Sequence, residues 1–253
     1  MKAKPVIVLL STLLSIFGIY WINAGKTSLK TTAEVAGREE LINYTLPPGF
    51  VFSIWGVIYL GFLIYAIAGL KKPKYNNTFF ERTGHWVAVS ILLNLLWVIL
   101  TGLELWIYSF FLQVIMLFIS IKLLFRWHLN VRPLTNVQKW MSIPFALYSG
   151  WLTTAMIPFI SDLLNKSGWN FAPLEQRTWA VIIYIVATLI VLLAYRRLKQ
   201  PFYLIPLAWA LAGLAIRFDG GLRITAGALS VLLLVVFFMQ LKPYLENKRT
   251  SSL

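Results

Sequence analysis

Residues 46–65 read LPPGFVFSIWGVIYLGFLIY, and the apolar run begun there extends from Phe50 to Leu70 with no charged side chain in it. A helix rises about 1.5 Å per residue, so a run of this length crosses the roughly 30 Å hydrocarbon core of a bilayer. Pro47, Pro48 and Gly49 deny the preceding loop a helical continuation and fix where the span starts. Similar runs cover residues 5–23, 86–103, 105–125, 140–164, 179–195, 202–218 and 222–241. They are too long for strands and lack period-two alternation, which leaves helices. The sequence therefore predicts an all-α, polytopic membrane helical bundle of about eight transmembrane helices. The third and fourth runs, separated only near Glu104, form a tight hairpin.

Composition agrees. Of 253 residues 59% are hydrophobic and 13% charged, with a mean hydropathy of +0.74; a soluble domain carries roughly a quarter charged residues. Cysteine is absent, which excludes disulfides, thiolate nucleophiles, Cys-ligated zinc and iron-sulfur clusters. The net charge of +14 would point to nucleic acid if it formed a stripe on a soluble surface. Here the basic residues sit in short clusters between apolar runs. The expected partner is the lipid bilayer, with no nucleic acid.

Basic loops stay cytoplasmic. With eight spans, the termini share a side with the loops after spans two, four and six, and that side holds 16 of the 23 Lys and Arg, against 7 on the other. Both termini are thus expected in the cytoplasm, and the inner surface should lie against anionic lipid. Lys2 and Lys4 before an apolar stretch also resemble a secretory signal. The stretch is long and lacks a clean small-x-small site before Lys26, so it is read as a retained span.

Two loops are long enough to hold structure, residues 25–49 outside and 71–85 inside. In the first, Thr31 and Glu34 have the Thr-x-x-Glu spacing of a capping box. The sequons at Asn43, Asn76 and Asn165 are read as chance occurrences. Trp86, Trp106, Trp127, Trp140, Trp169 and Trp179 lie near span ends and are read as an interfacial belt.

Three helix faces combine large aromatics with isolated neutral hydrogen-bonding groups. Trp55 and Tyr59 are four residues apart in span two; Asn94, Trp97 and Thr101 share a face of span three; Tyr148, Trp151 and Ala155 form a stripe of span five with Thr154 beside it. Asn94 lies mid-membrane, where an amide must face the bundle or a cavity. Pro144 removes a backbone hydrogen bond near the start of span five. Such faces either line a pocket for a planar apolar molecule or act as belt residues and interhelical glue.

Taken in order, these segments resemble the TspO/MBR family, also called translocator protein or tryptophan-rich sensory protein. PPGFVFSIWGVIY is similar to its second-helix signature, NLLW at residues 94–97 to its third-helix Asn-x-x-Trp, and FRWH to the aromatic-basic exit of its fourth helix. Pro144, Tyr148, Trp151 and Ala155 resemble its fifth helix, with either Tyr148 or Trp151 in the family's Trp position. The spacing departs from the family pattern in two places: one residue shorter between Phe52 and Trp55, longer between Pro144 and Trp151. The likeness covers about residues 5–165. It implies a TspO-like five-helix bundle over residues 1–165, with residues 166–253 adding three transmembrane helices and a short cytoplasmic tail, a longer branch of the family.

What the resemblance implies for function is a pocket open toward the first loop, which would serve as a lid, binding a porphyrin-like or sterol-like ligand. By position its residues are Trp55, Tyr59, Asn94, Trp97, Tyr148, Trp151 and Ala155. The alternative is a facilitator that transports such a ligand across the membrane. No catalytic residue, metal site or cofactor is expected: both His fall in loops, Glu104 and Asp162 lie near the outer boundary, and the motifs of phosphate loops and nucleophile elbows are missing. A porphyrin-degrading activity, described for some relatives, is the one enzymatic reading the resemblance keeps open. Spans almost free of mid-membrane charge disfavour ion-coupled transport. Arg217, Asp219 and Arg223 flank the Gly220-Gly221 turn and cap that hairpin, with an anion site as the lesser reading. Ala208, Ala212 and Gly213 offer a small-residue face for another helix, from this chain or from a second subunit in a homo-oligomer. A bacterial cytoplasmic membrane suits so short a chain.

Overall fold

The computed structural model describes residues 3–36, 43–70, 77–130, 136–169 and 171–246. Asn76, the lysines at 71, 72 and 74, Arg38, Glu39, Glu40, Arg132, Lys248 and Arg249 lie outside these residues. The described chain is helical: α1 (Ala3–Asn23), a short α2 (Thr32–Ala36), α3 (Ile54–Leu70), α4 (Asn77–Gly102), α5 (Trp106–Asn130), α6 (Asn136–Lys166), α7 (Gln176–Leu198), α8 (Ile205–Arg217) and α9 (Gly220–Glu246). Among the described residues seven segments are long and apolar enough to cross a membrane; the seventh expected span, 202–218, falls instead on a shorter apolar helix, Pro201–Arg217. This is an integral membrane helical bundle. α4 starts at Asn77, so the 71–85 stretch is largely the first turns of a helix rather than a loop.

Two compact units divide the chain: Met1–Glu40 with Trp55–Leu123, and Leu41–Ile54 with Leu124–Leu253. In the first, α1 packs along α4. Small residues permit this: Ser15 Oγ donates to the Ile91 carbonyl at 3.1 Å, and Gly18 lies under Leu95. Leu10, Leu13, Leu14 and Phe17 of α1 are exposed, an apolar surface suited to lipid. α4 ends in a Schellman turn, with Leu105 N–H on Leu100 O, Glu104 N–H on Thr101 O, and Glu104 itself left-handed at φ 62°. Glu104 pairs with Lys30 Nζ at 2.9 Å, and Lys30 N–H bonds Gly102 O at 3.1 Å, so the first loop is clipped to the α4–α5 turn. The expected capping box is present: Thr31 N–H donates to Glu34 Oε2 (2.6 Å) and Glu34 N–H to Thr31 Oγ1 (3.1 Å).

The second unit holds α6 to α9 and a segment, residues 43–53, that is irregular up to Pro48 and then makes a 3-10 turn into α3. α6 runs unbroken through both Pro144 and Pro158. At one end of this unit Gln200, almost fully buried, donates to Ser142 Oγ of α6 (2.7 Å) and Tyr244 OH of α9 (2.8 Å), and its Oε1 accepts from Phe202 N–H as an N-cap. At the other end Arg177 of α7 pairs with Asp219 beyond α8 at 2.8 Å. The 3-10 turn Pro201–Leu204 and α8 run from the first end to the second. Four residues at about 2.0 Å and thirteen at about 1.5 Å make roughly 28 Å. The short helix thus runs between the same two ends of the unit as α7 and α9.

Candidate functional site: an aromatic-lined pocket

Residues 43–53 form a strap whose shape follows from its sequence. Asn43 Oδ1 accepts from Thr45 N–H (3.0 Å) in an Asx turn. Pro48 is extended (φ −64°, ψ 157°), and the chain then enters the 3-10 turn Gly49–Ser53 that opens α3. The diproline sets where the span begins, as its position requires.

Between the strap and helices α6, α7 and α8 lies a pocket lined by Thr45, Pro47 and Phe52 of the strap, Trp151, Thr154, Ala155, Ile157 and Pro158 of α6, Tyr184 of α7, and Ala210 and Leu214 of α8. Its unfilled space, open mouth included, is about 400 Å³. Only about 30 Å³ is wide enough for water, room for a few molecules by the usual measure of one cavity water. Phe52 and Trp151 meet edge to face with ring centres 5.7 Å apart. The polar atoms here are neutral and engaged: Thr154 Oγ1 donates to Gly150 O (2.8 Å), Thr45 Oγ1 lies 2.8 Å from Asn43 Oδ1 and 3.0 Å from Ser161 Oγ, and Tyr184 OH donates to Tyr44 O. Among the described residues no acidic or basic side chain lines the pocket.

Of the residues singled out from sequence, Trp151 and Ala155 line this pocket; Tyr148 is buried in α6 one turn earlier and does not. Trp55, Tyr59, Asn94 and Trp97 belong to the other unit. There Trp55 stacks on Tyr59 (5.5 Å, 20°), and Tyr59 OH donates to Asn94 Oδ1. Asn94 Nδ2 and both polar atoms of Gln113 in α5 are buried without a hydrogen-bond partner. Phe52 stood inside the quoted signature but was passed over for Trp55 and Tyr59. Thr45, Pro47, Tyr184, Ala210 and Leu214 were missed because the motifs end at residue 165 and nothing local marks a strap residue or a small apolar one as lining.

Other sequence candidates are occupied structurally. Asn43 Nδ2 bonds Pro158 O at 3.0 Å and Asn165 is buried, so neither sequon is presented for glycosylation in the folded chain. Arg223 Nε donates to Phe218 O (3.1 Å) across the α8–α9 turn, whereas Arg217 Nη1 donates to Leu46 O (2.9 Å) of the 43–53 segment rather than to the hairpin, and Asp219 pairs with Arg177 of α7. Ala208 and Gly213 are buried within the chain, Gly213 against Pro48 and Val51. Among the described residues no three His, Cys, Asp or Glu gather as metal ligands.

A family model described as TSPO-like protein matches residues 5–239. The chain belongs to the TSPO-like protein family. The match runs past residue 165 into α9, so the three C-terminal helices, outside the range carried by the motifs, fall within the family's pattern. No curated protein and no solved structure matches the chain.

Proposed function

We propose that this TSPO-like protein binds a small, hydrophobic, planar ligand, porphyrin-like or sterol-like, in the pocket between the strap and α6 to α8. The observation that carries this is the lining: a Trp and a Phe set edge to face, aliphatic and proline walls, and a few neutral hydroxyls, the make-up of a small-molecule site in an apolar setting. That no acid, base or nucleophile lines it among the described residues supports binding rather than catalysis. Water-sized space alone means that a macrocycle enters only when the strap moves outward. Trp55, Tyr59, Asn94 and Trp97 form a second candidate surface within their own unit. The protein sits in a bacterial cytoplasmic membrane with both termini in the cytoplasm, a reading that rests on the basic loops and requires the shorter apolar helix Pro201–Arg217 to cross as well.

The test is equilibrium binding of protoporphyrin to the detergent-purified protein, followed by ligand absorbance. Trp151→Ala should weaken binding about tenfold or more, since it removes most of one aromatic wall. Full affinity in Trp151→Ala together with loss in Trp55→Ala or Trp97→Ala would move the site to the other unit. For topology, a reporter fused after Leu253 should read cytoplasmic; an outward reading would mean an odd number of crossings.

A further inference from the structure

We infer that the C-terminal helices α7 and α8 are the latch of this pocket: they hold the strap shut through side-chain donors aimed at its backbone, and so set how fast a ligand gets in. The proposal rests on the ligand-binding reading for its purpose, though not for its geometry. Irregular backbone inside a membrane protein survives only where its carbonyls find partners. Tyr44 and Leu46 precede the 3-10 turn Gly49–Ser53, so no sheet or helix of the strap supplies their carbonyls, whereas the Val51 carbonyl already accepts from Ile54 N–H; side chains of α7 and α8 donate to all three. Tyr184 of α7 donates its hydroxyl to Tyr44 O, Arg217 at the end of α8 donates Nη1 to Leu46 O at 2.9 Å, and Trp209 of α8 donates Nε1 to Val51 O at 2.9 Å.

Three further contacts act on the same segment. Arg177 of α7 stands over the Tyr44 ring at 5.5 Å, and the Trp209 ring meets Phe50 edge to face at 5.7 Å. Gly213 of α8 lets the strap lie directly on the helix: a Cβ there would run into Val51 and come within 3.2 Å of Pro48. Thr45, Pro47 and Phe52 of the strap are pocket wall, so displacing the strap opens the pocket. Trp209 and Arg217 do not line the pocket. They are positioning residues, which separates their effect on access from any direct touch on a ligand.

The experiment is hydrogen exchange on the full-length protein in detergent, with Trp209→Phe, Arg217→Gln and Gly213→Ala beside the wild type. Trp209→Phe keeps an aromatic ring and removes the donor. The amides to read are Thr45, Leu46 and Val51, each bonded within the strap itself. Exchange there should rise roughly fivefold to tenfold for the loss of one such bond, while amides of α4 and α9 keep their rates. Gly213→Ala, which adds helix propensity, should lift the strap and give the same local pattern. With protoporphyrin as probe, association and dissociation should both accelerate in Trp209→Phe, the affinity changing less than either rate.

Unchanged strap exchange in all three variants overturns the latch, as does acceleration spread evenly over α7 to α9, which would mean plain destabilisation. Faster strap exchange with unchanged association overturns its control of access. If protoporphyrin fails to bind the wild type while strap exchange responds as expected, the latch stands and the porphyrin-like reading of the pocket falls.

Discussion

The two units solve the problem of cohesion in lipid in different ways. Lipid tails are as apolar as leucine, so helices there are held by close packing and by hydrogen bonds rather than by the hydrophobic effect. The first unit is built from regular helices whose backbones satisfy themselves. Some of its buried polar groups are therefore left over: Asn94 spends its oxygen on Tyr59 and leaves Nδ2 unbonded, and the buried Gln113 side chain bonds nothing. The second unit contains irregular backbone, the strap and the Lys199–Gln200 link, and its side chains are committed to it. It too leaves buried groups unbonded, the Ser149 hydroxyl and the Asn165 amide, but both stand on a regular helix and not at an irregular turn. Polar residues beside irregular backbone are structural here, while the unbonded groups of Asn94, Gln113 and Ser149 all stand on regular helices.

The widest gap should appear when one polar residue from each unit is made apolar. Gln200→Leu removes a buried side chain that joins α6, the start of the Pro201–Leu204 turn and α9, and it strips Phe202 N–H of its acceptor. A loss of about 2 kcal/mol is expected, from several bonds each worth under about 1 kcal/mol in a membrane protein plus an orphaned buried donor. Asn94→Leu breaks one bond while removing an amide already half unsatisfied, so its cost should stay below about 1 kcal/mol. Unfolding in mixed micelles reads both. Equal losses would end the distinction between the units.

Within the first unit, Ser15→Ala tests what does hold it. The residue is fully buried and its hydroxyl reaches across to the Ile91 carbonyl of α4. That carbonyl is already used in its own helix, so about 0.5 kcal/mol is expected from the same unfolding measurement. A larger loss would show that α1 depends on hydrogen bonding rather than on close approach.

How much of this was legible in the sequence follows the same line. Span positions came through within a few residues because a run such as 50–70 has a length only a crossing explains, and diproline, capping box and hairpin turn are written locally. The site was legible only where its residues lie on the helices that carry the motifs: Trp151 and Ala155 were found. Thr45, Tyr184, Ala210 and Leu214 were not, because a lining role at those positions comes from a strap folding back across more than a hundred residues of chain. The bond from Tyr184 to Tyr44 and that from Trp209 to Val51 have no trace in either local segment. The grouping of Trp55, Tyr59, Asn94 and Trp97 with Trp151 rested on resemblance, and binding has to judge it.

A smaller effect concerns the clip in the first loop. The Lys30–Glu104 pair is roughly half exposed on both sides, so Lys30→Gln should cost under about 1 kcal/mol and less at high salt. The backbone bond from Lys30 to Gly102 survives that change, and hydrogen exchange at Lys30 should rise only slightly. A large rise would make the ion pair, and not the backbone contact, the fastening of this loop.

The smallest effect expected is a response to acid in the first loop that the strap does not share. Glu34 is fully exposed, and its carboxyl is held below the ordinary value of 4.5, chiefly by the Thr31 backbone N–H, then by the Thr31 hydroxyl and the charge of Lys30, against a slight opposing effect of burial. A lowered value means that the charged form is favoured in the folded loop. Its contribution is complete above about pH 4.5 and is lost as pH falls through the lower folded value. Amides of α2 should therefore begin to loosen below about pH 4.5, and Glu34→Gln, which still accepts the capping bond but does not titrate, should flatten that dependence. The strap behaves differently because its carbonyls accept from an indole, a phenol and a guanidinium, and acid adds protons without taking any from donors. Loosening of the strap in the same pH window would show that its closure depends on a carboxylate, and the Arg177–Asp219 pair would then have to be counted as part of the latch.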